Sequence, residues 1–562
     1  MRDELLIAKT EKKVYDILPH EPETMAATLF IIGMAAYYMW RMFAITPQHE
    51  ELVSYCLFIE KGPLYSAMNW PSANNHVGYS VLASILNLFG NSYVGLRGVS
   101  YICAVLNLVI VYHICKKYFT HAMPFAAVVL YASMQVVNEY SVQGRGYTLG
   151  TFCFLMTALL LTDVCRAVED KNYQYVLIVI FMVYGMYTIP ISFYWAIPTA
   201  FTAVIFLFIN GFRSRRVYAS DVENIYLRKL NAVLTSVFFC AIITFLLYTV
   251  LWLTIGSKEL ISDSSSLFYG ETDFTVLLRN PMLAMRRGMN YMKSQREFSL
   301  DSVNLFKDQF FLWIKELLNY MIPGLWLILL GFIVSGLCIM VAECLRHFEY
   351  SRTVLNLLVI INLLYIFLIL IVTHNLPPLK GFGYGSFLMT ICVCSTIEKI
   401  LNVLIRVYNS KISKKDSDYH NENERVIKNG HWYDGLVVYT PVILIMVLFF
   451  ARMMNKDFYA QIGIRENDIF NTMYIADISR KSNPCVLDED QLYLLKFGFD
   501  IDCNKKDVTG ADIVILDRNM TVPGYRGEYS PRWFQTFETI DWDYLDTMHI
   551  KYENESIILY TK

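Results

Sequence analysis

Charge is scarce in this sequence. Only 17% of its 562 residues are Asp, Glu, Lys or Arg, against about 25% in an ordinary soluble domain. Its 48 Lys and Arg are balanced by 50 Asp and Glu, so bulk nucleic-acid binding finds no support and no nucleic-acid partner is expected. The twelve cysteines lack metal-ligand spacing. Most lie in apolar runs (Cys103, Cys153, Cys240, Cys338, Cys392, Cys394), where a thiol packs as a small hydrophobe. Cys485 and Cys503 fall in a polar stretch and can pair if that stretch is extracytoplasmic. No small-residue cleavage site is evident near the first apolar run, which begins near Met25 after the polar EPET, so it reads as a retained membrane helix. Repeats of solenoid period are absent, as is a symmetric pair of broken helices of the transporter kind.

Apolar residues, in contrast, make up 55% of the chain, aromatics 15%, and the mean hydropathy is +0.37. A membrane helix needs about 20 mostly apolar residues. Stretches near 25–45, 94–115, 122–137, 147–164, 175–190, 192–210, 231–255, 321–343, 353–373, 384–405 and 435–452 qualify, two or three of them short. The expected fold is therefore a polytopic α-helical membrane protein with about eleven spans. Residues 77–90 are apolar but too short to span and read as a re-entrant or interfacial helix.

The distribution of cations orients these spans. With the N-terminus (Arg2, Lys9, Lys12, Lys13) in the cytoplasm, the inner loops hold Lys116 and Lys117, Arg166 and Lys171, Arg213 to Lys229, Arg346 and Arg352, and Arg406 to Lys428. The short outer loops hold only Arg145 and Lys380. This places loop 46–93, loop 256–320 and the C-terminal segment on the outer side of a cell membrane. Residues 1–454 form the membrane domain. Residues 455–562 are polar, with strand-like CVLDE, ADIVILD and ESIILYTK and a helix-like run near Asp488–Phe497, and read as a soluble extracytoplasmic α/β domain. ADIVILD is apolar enough for a buried central strand.

Glu50 and Glu51 stand just outside the first span, preceded by His49 and followed by Asn74, Asn75 and His76. A carboxylate at a bilayer surface can have its pKa raised by partial desolvation and serve as a general base; the alternative is a solvated charge in a loop. Arg145 suits a phosphate, which guanidinium binds bidentately, or it snorkels to the interface. Lys380 has the same two readings. Arg286, Arg287, Lys293 and Arg296 read as the polar face of an amphipathic helix, with attraction of an anionic acceptor or lipid headgroups as the other possibility.

The order of these residues resembles the GT-C membrane glycosyltransferases that use polyprenyl-phosphate sugars, specifically the protein O-mannosyltransferase and lipid A aminoarabinose transferase relatives. Their acidic pair after the first span corresponds to Glu50-Glu51, with Glu50 where an Asp is usual. Their N-H-P-x-x-Y corresponds to Asn75, His76 and Tyr79, with Val77 in place of Pro. F-G-x-S corresponds to Phe89, Gly90 and Ser92, and L-R-x-x-S to Leu96, Arg97 and Ser100. Y-S-x-E-A-R-x-Y corresponds to Tyr140, Ser141, Gln143, Gly144, Arg145 and Tyr147, with an amide at the acidic position. A weaker match is LPPLKGFGYGS, Leu376–Ser386.

The resemblance implies an integral membrane glycosyltransferase. A polyprenyl-phosphate-linked sugar would be the donor, and an extracytoplasmic protein, lipid or surface glycan the acceptor. Attack would invert the anomeric centre, with Glu50 as general base supported by Glu51. Arg145, Lys380, His76, Asn75 and Tyr147 would bind substrate or phosphate. Some GT-C enzymes hold a divalent metal, but the short outer loops here have no Asp-x-Asp, so no obligatory metal or other cofactor is expected. The competing readings are a flippase of lipid-linked saccharides, which should show charges in mid-span, and a non-catalytic relative.

Overall fold

A computed structural model describes residues 21–70, 75–167, 169–217, 224–262, 269–294, 303–346, 348, 352–413 and 432–562. Asn74 and Arg296 fall outside the described residues, as do the N-terminal cations and most of the charged linker after Ser413.

Eight described helices are long and apolar enough to cross a membrane: Pro22–Ala44, Ser92–Tyr118, Tyr147–Arg166, Pro190–Ser214, Ile225–Ile261, Trp326–Arg346, Arg352–Thr373 and Gly385–Val407. The other three expected stretches are also helical but shorter. The 122–137 stretch divides into helices Met123–Ala132 and Gln135–Tyr140. Ser133 Oγ bonds back to Val129 O at 2.7 Å, and the helical run breaks where Met134 turns extended (ψ 135°). The 175–190 stretch is Asn172–Thr188, ended by extended Ile189 and Pro190. The last contributes the apolar helix Tyr439–Met454. The expected short helix is Val77–Asn87.

Charge sorts to the two ends of the helices. At one end Lys116 pairs with Glu21 (2.5 Å), Lys117 with Asp163 (2.7 Å), Arg228 with Asp170 (2.6 Å) and Arg352 with Glu398. At the opposite end lie loop 46–60, the turn Ser141–Gly146, the turn Leu379–Phe382 and the C-terminal segment. The described residues of the basic loops expected on one side thus share one end, and the loops holding the candidate site share the other.

The C-terminal segment forms a four-stranded sheet of order β1-β2-β4-β3: β1 Pro484–Cys485, β2 Ile513–Asp517, β3 His549–Glu553 and β4 Ile557–Thr561. β1 pairs parallel with β2 and the other pairs are antiparallel, with a bulge between Ile550 and Tyr552. ADIVILD supplies β2, which is buried throughout. Alternation divides its faces. Ile513, Ile515, Ile557 and Leu559 join a core continuous with the membrane helices, whereas Val514, Leu516 and Ile558 pack into a second core with Leu487 and Met520. Helix Glu489–Phe499 starts on Asp488, whose Oδ1 accepts the Gln491 N–H at 2.8 Å. Cys485 and Cys503 are buried free thiols.

The amphipathic helix Pro281–Ser294 buries Ala284 and Gly288 and exposes Arg286 and Lys293. It packs backbone to backbone on helix Ile225–Ser262. A Cβ on Gly256 would fall 1.7 Å from Ala284 O, and one on Gly288 1.9 Å from Trp252 O. Gly288→Val should dislodge this helix, at a cost of at least about 1–3 kcal/mol for overpacking. The expected readout is faster proteolysis within 281–294 and a lower Tm; an unchanged cleavage pattern would show that the contact is not formed.

Candidate active site

Glu50 and Glu51 are adjacent, and the structure sends them to opposite sides of a six-residue helix, His49–Ser54. Gln48 and Glu51 close its first turn as a capping box, and a π-helical turn, Tyr55–Ile59, follows. The Glu51 side chain is 1% exposed. Its two oxygens take Arg97 Nε and Nη2, each at 2.8 Å, and Oε1 also accepts the Gly144 N–H at 2.6 Å. Arg97 donates further to Met42 O (3.0 Å) and Ile45 O (2.6 Å), at the end of the first long helix. Glu51 therefore ties together the first span, the second span and the turn that holds Arg145.

The Glu50 side chain is 45% exposed and faces two cations. Lys380 Nζ lies 2.7 and 2.8 Å from its carboxylate oxygens, and Arg145 Nη2 lies 3.6 Å from Oε2. Arg145 Nη1 also donates to Ser54 Oγ (2.9 Å) and Glu50 O (3.3 Å). The turn around Arg145 is held by Gly144 on Glu51 and by the Gly146 N–H, which donates to His76 Nδ1 at 2.8 Å. Lys380 stands on the 3-10 turn Leu379–Phe382, anchored by buried Phe382 and by Trp313 Nε1, which donates to Pro377 O at 3.0 Å.

The expectation of a raised Glu50 pKa is corrected. Burial pushes the carboxyl up, but the Arg145 and Lys380 charges outweigh it and hold Glu50 below its ordinary value. Glu50 is therefore ionised at neutral pH, and its low pKa makes it a weak proton acceptor while both cations remain on it. The stabilising effect of this pairing is present above the unfolded carboxyl range and is lost as pH falls through the depressed folded value.

Burial, with Arg145 and Lys380 beside it, pushes His76 well below its ordinary pKa, so the ring is neutral. Nδ1 accepts from Gly146, which leaves the proton on Nε2, 3.5 Å from Arg145 Nη2. His76 thus supports the Arg145 turn through Gly146; its side chain makes no capping bond to helix Val77–Asn87. The Tyr147 ring packs edge-on against His76 (4.9 Å) and Tyr140 (4.8 Å), with Lys380 Nζ 5.9 Å from its centroid. Asn75 is not brought to Glu50. It is buried with Nδ2 donating to Ser66 O and Asn69 O, and Oδ1 accepting from Ser80.

Two nearby groups escaped the sequence reading. Glu139, four residues before Gln143, accepts from Gln143 Nε2 (3.4 Å) and from the Tyr320 hydroxyl (3.0 Å). Burial raises its carboxyl, and Lys380 is among the charges that act on it. An acid is thus supplied one turn from the position where the resemblance expects it, and the Glu139/Gln143 spacing was the available signal. Tyr320 comes from a distant helix, Val303–Met321, and had none. Among the described residues, no three His, Cys, Asp or Glu side chains are arranged as metal ligands.

The two glutamates should part under mutation. Glu51→Ala leaves Arg97 buried without its partner and should cost about 3–5 kcal/mol, read as loss of folded protein in detergent. Glu50→Gln loses only a half-exposed pairing and should cost about 1 kcal/mol or less. Equal stability losses in the two variants would contradict the separation.

Residues 76–243 match the family model of dolichyl-phosphate-mannose-protein mannosyltransferases. No curated protein sequence matches the chain. Among solved structures, the fold is similar to the oligosaccharyltransferase AglB of Archaeoglobus fulgidus, solved with an inhibitory peptide and a dolichol-phosphate. The TM-score is 0.44 at 12% identity, over 81% of this chain and 58% of that one, so the chain spans little more than half the length of that relative. ArnT from Cupriavidus metallidurans, bound to undecaprenyl phosphate, matches with TM-score 0.46 at 10% identity, over 95% of this chain and 97% of that one. The family match covers the His76 and Arg145 loops and the helices through residue 243.

Proposed function

We propose that the protein transfers a sugar from a polyprenyl-phosphate donor to an acceptor outside the cytoplasm, at the Glu50–Arg145–Lys380 site. The observation that carries this reading is the convergence of two cations, from turns 235 residues apart in sequence, on one carboxylate at the end of a membrane-helix bundle. A lipid-borne sugar phosphate would present its anion at that level while its chain stays among the apolar helices. The name of the matched family, built on dolichyl-phosphate mannose, supports the donor class. The excess of Lys and Arg at the opposite helix ends supports an extracytoplasmic site.

In this mechanism the leaving group is a lipid phosphate, whose negative charge grows as the anomeric bond breaks. Arg145 and Lys380 stabilise it, and they can do so only by leaving Glu50. The phosphate and Glu50 compete for the same donors. Donor binding therefore takes from Glu50 the charges that depress its pKa, and restores its basicity where the acceptor hydroxyl or amine arrives. The acceptor atom attacks the anomeric carbon from the face opposite the phosphate, with inversion, and Glu50 takes its proton. His76 and Tyr147 hold the two cations in place.

Two measurements test this reading. Membranes containing the protein should transfer label from dolichyl- or undecaprenyl-phosphate mannose, and Glu50→Gln should lower turnover by about 10²–10⁴-fold, the usual contribution of a general base. Full turnover in that variant would remove Glu50 from the chemistry. Arg145→Ala and Lys380→Ala should each weaken undecaprenyl phosphate binding roughly tenfold or more, the loss of about 1.5–3 kcal/mol for a hydrogen bond to a charged group. Unchanged affinity would move the phosphate elsewhere.

A further inference from the structure

The helix that presents Glu50 has six residues, too few to hold a conformation alone, so its anchors decide where Glu50 points. On the membrane side Glu51 is anchored on Arg97, and Arg145 donates to Ser54 Oγ and Glu50 O. Further anchors come from the C-terminal domain. Thr46 exchanges two hydrogen bonds with Gln461 (2.8 and 2.9 Å), and the His49 N–H donates to Glu466 Oε1 at 3.2 Å. His49 Nδ1 lies 2.6 Å from Asp490 Oδ1. Tyr55 meets the Phe497 ring edge-on at 5.1 Å, and Glu60 pairs with Lys496 at 2.8 Å.

Asp490 is rigid within its domain. It is fully buried, and its Oδ2 takes Arg465 and, at 3.3 Å, Arg532. Arg465 also binds Asp488 (2.6 Å) and Asp517 (3.0 Å). One guanidinium thus joins helix Ile464–Ile475, the start of helix Glu489–Phe499 and the end of β2. Burial pushes Asp490 up, but the His49 hydrogen bond and the Arg465 charge outweigh it and keep the carboxyl low. An ionised carboxylate can only accept, so His49 carries its hydrogen on Nδ1. The charged groups around this contact are Asp490, Glu466, Arg465 and Arg532 from the domain and Glu50 from the same helix.

We infer that Asp490 is a positioning residue for the transfer reaction: through His49 it sets the helix that holds Glu50 against Arg145 and Lys380, so that the C-terminal domain completes the active site. The inference rests on the transferase reading above. Asp490 touches neither donor nor acceptor. Its effect falls on the turnover step, where Glu50 must be placed, and leaves phosphate binding to Arg145 and Lys380.

The test uses the full-length chain in lipid nanodiscs, with dolichyl-phosphate mannose as donor, a Ser/Thr-containing peptide as acceptor and undecaprenyl phosphate as the binding probe. Asp490→Ala should lower kcat tenfold or more while Kd for undecaprenyl phosphate stays within twofold. Asp490→Asn keeps a single accepting oxygen, which cannot serve both the His49 Nδ1–H and the Arg465 guanidinium, and should behave like Asp490→Ala. His49→Ala should also lower kcat tenfold or more, and the double variant should be no worse than Asp490→Ala, because the His49 contact is already lost in it. Wild-type kcat in Asp490→Ala or in His49→Ala, or losses that multiply in the double variant, would overturn the inference. Should Asp490→Ala fail to fold, His49→Ala decides it. Transfer by the wild type with unaffected variants sinks this inference alone. A wild type that binds the lipid yet transfers nothing sinks the transferase reading, and this inference with it.

Discussion

The pair between Glu51 and Arg97 is the interaction on which the site depends. A bidentate ion pair excluded from water is stable only when its remaining donors and acceptors are met. Here they are met by Met42 O, Ile45 O and the Gly144 N–H. Those partners belong to the first span, to the chain leaving it and to the turn before the Tyr147 helix. Fixing Glu51 inward leaves the next side chain around the helix, Glu50, directed at Lys380 and Arg145. One carboxylate is structural, and its neighbour is left half-exposed beside two cations.

This division accounts for what the sequence did and did not disclose. The spans, the short helix after His76 and the buried strand ADIVILD follow from apolar run length and composition, and they are present. The break at Ser133–Met134 was not visible, because the run stays apolar across it. Several motif residues prove to be scaffold. Arg97 holds Glu51, Tyr79 donates to Leu96 O at 2.5 Å, Ser100 donates to Gln143 O at 2.5 Å, and Asn75 braces its own loop. Spacing alone cannot separate such residues from those that face substrate. The partners of Arg97 and Ser100 lie 46 and 43 residues away, and Lys380 meets Glu50 across 330 positions. The depressed pKa of Glu50 was hidden for the same reason, since it depends on cations that only the fold brings near.

The C-terminal domain belongs to the same argument. One face of its sheet shares a core with the membrane helices, and the Arg465 cluster lies beside His49. The fold thus grips loop 46–60 between two buried guanidinium centres, Arg97 on the membrane side and Arg465 on the domain side. Glu50 lies between them on a helix too short to choose its own orientation.

The central claim of the proposal is that Glu50 and a donor phosphate compete for Arg145 and Lys380. The most direct measurement compares the affinity of wild type and Glu50→Gln for undecaprenyl phosphate in nanodiscs at neutral pH. Competition predicts tighter binding by the variant, because the anion no longer has to displace a carboxylate from the two cations. Weaker binding by Glu50→Gln would contradict the account, since it would make Glu50 a partner of the phosphate rather than its competitor.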